Sequence, residues 1–450
     1  MTASVTPAPA GTDLAALYKD HVGTLRTRTD TALAACGFDS LAIYAGQPKV
    51  LFLDDQSYPF KVNPQFKAWA PLKDAAESWI VYRPGAPLQL VFVQPADFWH
   101  KPPAVPGDYW TRHFNIDVIR AAPQARAHLQ GLQRCAFIGE WREEFADWGF
   151  AAHNPLRLIE LLHYPRAIKT PYELECMRMA STRGATGHRA AEAAFRAGAS
   201  EFEIHMAYLQ ATRHTENELP YSNIIALNAN AAVLHYQYQE RQLPRERRSF
   251  LIDAGAEVAG YASDITRTYS NVDDDFQALI TGMHGLQQEL CDDVRAGTDY
   301  ADIHISAHRR IAALLQRSGI IDMAADDAVE SGLSGVFFPH GVGHLLGLQV
   351  HDVAGFTVSP EGTQKARPAG HPYLRLTRTL QPGFVVTIEP GLYFIETLLE
   401  EARATQHARH IDWRQIERFK PYGGIRIEDN VACTNAAPEN LTRAAFEKVS

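Results

Sequence analysis

Short apolar runs punctuate the first third of the chain: "LAIYAG", "KVLFLDD", "SWIVYRP", "LQLVFVQ", "IDVIRA" and "CAFIGE". They are rich in Val, Ile and aromatic residues and are bounded by Pro, Gly and Asp, which predicts strands. A helical stretch precedes them, following Asp13 and running toward Gly37. Together these predict a small α/β domain over residues 1–160. No GxGxxG or GxxxxGK[ST] follows any of the strands, so no nucleotide loop is expected. The pattern changes at "HYPRAIKTPYELECMRMA", where Thr170, Pro171 and Glu173 form a capping box with proline at the first helical position. That helix is expected to end at Gly198, and Ser200 with Glu203 caps the next one. Strand-like segments and further helices follow, predicting an α+β, antiparallel domain over residues 165–445.

Composition narrows the partners. The 450 residues are 46% hydrophobic and 21% charged, with a formal net charge of −9 and a pI of about 6.1. An acidic chain of this kind is a poor nucleic-acid or anionic-membrane binder, and no apolar run approaches the ~20 residues of a membrane span. The opening "MTASVTPAPAG" lacks the charged and apolar regions of a secretory signal and reads as a short disordered lead-in. Five cysteines (Cys36, Cys135, Cys176, Cys291 and Cys433) lie far apart without CxxC spacing. Reduced, mostly buried thiols in a cytoplasmic protein are expected.

"FLIDAGAEVAGYASDITRTYS" places two carboxylates, Asp253 and Asp264, in an otherwise apolar, glycine-punctuated hairpin. A turn centred between Val258 and Ala259 would set them directly opposite each other on one sheet face. Two ionised carboxylates so close repel unless a cation lies between them. Further candidate ligands follow. Glu389 ends the β-rich "FVVTIEPGLY", and in "YGGIRIEDNV" Glu428 shares a strand face with Arg426. "FFPHGVGHLLGLQVHD" adds His340, His344 and His351 among several glycines. His340 and His344 have zincin spacing, but glycine follows the first where HEXXH chemistry needs its glutamate base.

In the order Asp253, Asp264, His344, Glu389, Glu428, the chain resembles the dinuclear metallopeptidases of the pita-bread fold. Within them it is similar to the bacterial-type prolidases (Xaa-Pro dipeptidases) and the related organophosphorus acid anhydrolases. The resemblance runs from "FLDDQSYPFKVNPQFKAW" to "GGIRIEDN". It implies that Asp253 chelates one metal, that Asp264 and Glu428 bridge both, and that His344 and Glu389 hold the second. Four carboxylates and one imidazole suit Mn²⁺, two per subunit, with other divalent ions such as Co²⁺ as substitutes. The ions, roughly 3.5–4 Å apart, would activate a shared hydroxide against the scissile carbonyl, with Glu389 as proton shuttle. By the same resemblance, His235, His340 and His351 line the site and stabilise the oxyanion, and Arg426 anchors a ligating carboxylate. Arg375 receives the C-terminal carboxylate of the dipeptide, with Arg378 as its competitor. Tyr221, Tyr300, Val350 and Leu374 line the pocket. A homodimer is also implied. Trp99, in "PADFWHKPP", is either a packed tryptophan or a recognition residue on a loop that caps the partner's site. A side activity on organophosphorus triesters is expected. The alternatives are an aminopeptidase P acting on longer Xaa-Pro peptides and, from a different class, a non-catalytic pita-bread binding scaffold.

Overall fold

The structure, a computed structural model, describes residues 13–449; the lead-in "MTASVTPAPAG" lies outside them. The chain divides into two compact units. One takes in the chain up to Cys176 with Ala259–Tyr261 and Ser359–Thr363, and the other holds the rest.

The first unit opens with the helix Leu14–Cys36. The Asp13 carboxylate caps its first turn by accepting from the Ala15 and Ala16 amides, and Gly37 ends it in the left-handed region at φ 72°. Six strands follow: β1 (Ser40–Tyr44), β2 (Trp79–Tyr82), β3 (Leu88–Val93), β4 (Phe114–Ile119), β5 (Cys135–Ile138) and β6 (Ala152–His153). They form one mixed sheet in the order β4-β3-β2-β1-β5-β6. One face packs around Trp79, with Phe145 edge-on at 5.1 Å and Phe150 stacked at 6.0 Å. The run "KVLFLDD" does not form the expected strand. It folds into a tight turn in which the Leu51 N–H donates to the Gln56 carbonyl at 2.8 Å. Phe52 and Leu53 then project from the turn, 88% and 90% exposed.

The capped helices appear where expected, at Pro171–Ala197, which starts in the first unit and continues into the second, and at Glu201–Thr212 in the second. In the first box the Thr170 amide donates to the Glu173 carboxylate at 2.7 Å. In the second the Ser200 amide donates to Glu203 at 2.8 Å. The helices cross tightly because Gly187 has no side chain: a Cβ there would lie 2.5 Å from the Tyr208 ring. Phe195 and Tyr208 then bury their rings with Ile225, Phe250 and Ile252 of the adjoining sheet. That sheet joins β7 (Ile224–Leu227), β8 (Ser249–Asp253) and β11 (Thr266–Ser270) in the order β11-β8-β7. Between β8 and β11 lies the small hairpin of β9 (Glu257–Val258) and β10 (Tyr261–Ala262). Downstream, β12 (Val385–Ile388), β15 (Asp429–Ala432) and β16 (Glu439–Asn440) form a three-stranded sheet, and β13 (Gly391–Tyr393) pairs with β14 (Gly424–Arg426). The pairings of both three-stranded sheets and of β13 with β14 are antiparallel. A bridge between Thr266 and Glu428 ties β11 to the segment joining β14 and β15. Among the described residues no helix is long and apolar enough to cross a membrane.

Candidate metal centre

The hairpin register differs from expectation. Asp253 pairs with Thr266, not with Asp264. The turn centres between Ala259 and Gly260, whose φ values of 52° and 90° give the two consecutive left-handed residues of a tight hairpin turn. The two aspartates therefore lie diagonally on one face rather than directly opposed. Their carboxylates still converge, because the Tyr221 hydroxyl touches both, at 2.8 Å from Asp253 Oδ1 and 2.6 Å from Asp264 Oδ1.

Glu428 arrives through the bridge to Thr266, whose hydroxyl donates to Glu428 Oε2 at 2.6 Å. His344 stands on a loop pinned where its amide donates to Thr387 Oγ1 at 3.1 Å. The neighbouring Gly343 is obligatory there: at φ 153° a Cβ would lie 2.1 Å from the Thr387 carbonyl oxygen and 2.3 Å from the Tyr300 hydroxyl. His344 Nδ1 lies 3.0 Å from the Leu345 carbonyl oxygen, which as an acceptor fixes the proton on Nδ1 and leaves a lone pair on Nε2. That Nε2 faces Asp264 Oδ2 at 3.5 Å and Glu389 Oε1 at 3.6 Å. Such separations are too long for good hydrogen bonds, yet shorter than two metal–ligand bonds of ~2.1 Å laid end to end. One ligand atom each from Asp264, His344 and Glu428, all buried, lie within 4.8 Å of one another.

Arg426 is the central counter-charge. It donates to Asp253 Oδ2 at 2.6 Å, to the Tyr393 hydroxyl at 2.8 Å and to Thr266 Oγ1 at 3.3 Å. One guanidinium does not balance the acids. Burial, with Asp264 and Glu389 nearby, drives the Glu428 carboxyl well above the usual range. Burial raises Glu389 to about 7, against the opposing pull of His344 and Arg426. Burial also raises Asp253, with Asp264 adding to the effect and Arg426 opposing it. Burial pushes Asp264 up too, but His344 and Tyr221 outweigh it and leave the group below its ordinary value. Burial depresses His344, yet Asp264 and Glu389 raise it overall. The protein's own cations thus under-balance a cluster of acids whose donor set suits a hard divalent cation.

The remaining candidates surround this centre unevenly. His340 Nε2 lies 2.9 Å from the Tyr393 hydroxyl, and its Nδ1 is 3.6 Å from Glu389 Oε2. Burial and Arg426 hold His340 neutral, down to about 3. The His351 ring meets that of His344 edge-on at 4.4 Å, and Arg375 is close enough to lower the His351 pKa. His235 is exposed and lies close enough to influence both His340 and His351. Arg375 is exposed, whereas Arg378 is 2% exposed and lies over the Phe384 ring at 4.7 Å. Tyr300 is fully buried and its hydroxyl donates to the Thr387 carbonyl at 2.7 Å. Leu374 is buried and Val350 half-buried. Trp99 belongs to the other unit and is 78% exposed beside Phe98, so it is not packed within the described chain.

Sequence reasoning missed Thr266, Tyr393 and Asn430. The Asn430 side chain accepts from the Asp264 amide at 3.0 Å and donates back to the Asp264 carbonyl. Thr266 had a legible signal: it follows Asp264 by two residues and so shares its strand face. Asn430 carried the same signal, two residues after Glu428, and Tyr393 had none.

A family model for the N-terminal domain of Xaa-Pro dipeptidase matches residues 16–164, and one for metallopeptidase family M24 matches residues 175–435. A curated Xaa-Pro dipeptidase of Xanthomonas axonopodis pv. citri is 52% identical over 435 residues, covering 96% of this chain and 98% of the relative. That of Stenotrophomonas maltophilia (strain K279a) is 51% identical over 436 residues, with the same coverage. Among solved structures, the low-pH form of Escherichia coli aminopeptidase P aligns with a TM-score of 0.69 at 23% identity. It covers 94% of this chain and 97% of its own. Pseudomonas aeruginosa aminopeptidase PepP also gives 0.69, at 21% identity, covering 95% and 98%. At these identities the structural likeness speaks for the fold.

Proposed function

The chain belongs to metallopeptidase family M24, and from that premise we propose that it is an Xaa-Pro dipeptidase, hydrolysing dipeptides that end in proline. The observation carrying this reading is the convergence of Asp264, His344, Glu389 and Glu428, with Asp253 joined to them through Tyr221 and Arg426.

Those five residues would hold the divalent ions, which we take to be two Mn²⁺. Bound there, the ions supply Lewis acidity that makes a water nucleophilic at neutral pH. The protein does the rest. Glu389, a carboxylate beside His344 and His340, is placed to take a proton from the attacking water and return it to the leaving imino nitrogen. His340, neutral, spends its one N–H on the Gly341 carbonyl at 2.8 Å and accepts from the Tyr393 hydroxyl at 2.9 Å, so it orients Tyr393 beside Glu389, and the rings of His351 and His344 meet next to it. Arg426 holds Asp253 in place from behind. Tyr221 fixes the spacing of the two aspartates.

For a dipeptidase the substrate carboxylate must meet a cation just beyond proline. Arg375 is the better candidate because it is exposed and electrostatically close to His351, whereas Arg378 is buried over Phe384. The reading includes a cytoplasmic homodimer. The free cysteines, four of them buried, support a reducing compartment. The exposed pair Phe98 and Trp99 offers an aromatic surface for a partner subunit to cover.

The test is hydrolysis of Ala-Pro, Leu-Pro and Ala-Pro-Gly by Mn²⁺-loaded protein, alongside a metal count. Cleavage of the dipeptides with the tripeptide spared is the expected outcome. Preference for the tripeptide would make the enzyme an aminopeptidase P, and a metal-free, inert protein would make it a scaffold.

A further inference from the structure

Away from the carboxylates, three histidines meet. His304 and His308 are i, i+4 neighbours on the helix Tyr300–Arg317, so they project from one face a turn apart. Both are buried, 1% and 2% exposed. His371, half-buried on the loop leading to Arg375, completes the group. The ring centroids are 4.7, 4.7 and 4.6 Å apart, and one nitrogen of each lies within 4.8 Å of the others. His304 Nε2 and His371 Nδ1 are 3.0 Å apart, and His308 Nδ1 is 2.9 Å from Ser334 Oγ. The buried Nδ1 of His304 has no hydrogen-bond partner among the described residues. Phe338 contacts His304 and His308 on one side and His340 of the carboxylate centre on the other.

Burying three imidazoles together is costly unless something uses their lone pairs. Burial and mutual proximity push His304 to about 2 and His308 to about 3, and burial lowers His371, so all three are neutral donors at ordinary pH. The cluster contains no carboxylate, which disfavours Mn²⁺, Mg²⁺ and Ca²⁺ and favours a nitrogen-loving ion. Imidazole nitrogens on a tetrahedral ion with bonds of ~2.0–2.1 Å lie about 3.3–3.4 Å apart, so the closest pair here, at 3.0 Å, need open by only a few tenths of an ångström. We propose that His304, His308 and His371 form a second, tris-imidazole metal site for zinc(II), with its fourth position open to solvent on the His371 side. Occupancy would tie the His371 loop to the helix.

The experiment uses full-length protein loaded with Mn²⁺, exposed to ZnCl₂, desalted, and counted for both metals by mass spectrometry. The wild type should retain one zinc per chain more than His371→Asn, and zinc should raise the Tm of the wild type but not of the variant. His308→Gln should behave like His371→Asn. A failure of the carboxylate centre would lower the manganese of all three proteins alike and leave the zinc difference intact. Equal zinc and equal Tm response in wild type and in a folded His371→Asn would overturn the site.

Discussion

Replacing Thr266 by valine removes one hydroxyl and adds a methyl of similar shape, at a fully buried strand position where a β-branched residue is already accommodated. That hydroxyl donates to Glu428 Oε2 at 2.6 Å and accepts from Arg426 Nε at 3.3 Å. A hydrogen bond to a charged group contributes about 1.5–3 kcal/mol. At about 1.4 kcal/mol per decade, its loss corresponds to roughly 10–150-fold in metal affinity if Glu428 is a ligand. The independent rule for partners of metal ligands, about 10–100-fold, gives the same range. The Glu428 backbone should stay put, because its amide donates to the Thr266 carbonyl at 3.0 Å regardless of side chain. The assay is chelator competition for Mn²⁺ affinity, with circular dichroism as the fold control and Thr266→Ser as the rescue. A folded Thr266→Val that binds metal within about twofold of wild type would refute the reasoning, since Glu428 would then need no orienting donor.

Arg375→Ala should lose at least about tenfold in kcat/KM on Xaa-Pro dipeptides, mostly through KM, from loss of a charge-assisted pair; an equal loss on Ala-Pro-Gly would move the carboxylate site elsewhere. Metal uptake should release protons, because Glu389 at about 7 and the raised Glu428 must ionise to bind. Affinity should therefore fall as pH drops below about 7, and calorimetry in buffers of different ionisation heat should show less proton release for Glu389→Gln. A pH-independent affinity across that window would count against protons occupying the site. Trp99→Ala should change the ranking among Xaa-Pro substrates while leaving metal content intact; a lower Tm with an unchanged ranking would reduce Trp99 to a structural role.

Local chemistry was legible where it is fixed by neighbours in the chain. The two capping boxes, Gly37 and five of the six apolar runs became the elements expected, because each depends on residues a few positions apart. The run at 49–55 misled because a turn can carry apolar residues outward as easily as a strand carries them inward. The aspartate hairpin was offset by one position at its turn, since Ala259 occupies a left-handed conformation that a sequence reader assigns to glycine. Both aspartates nevertheless kept to one face, because the parity of a strand survives a shift of the turn that moves the register by two residues. Tyr393 was invisible, because no candidate ligand stands two residues from it and its partner Arg426 is 33 residues away.

The bridge from Thr266 to Glu428 also bears on how the enzyme is born. Its donors are scattered from Asp253 to Glu428, so no shorter stretch of nascent chain contains the whole centre. Contacts of such long sequence separation form late, after the local helices and hairpins. A ribosome-bound intermediate can thus complete the Asp253–Asp264 hairpin and still lack the other acids. The proposed centre is then complete only once β11 has paired with the segment after β14, so its metal affinity should report on the last long-range contact of the fold.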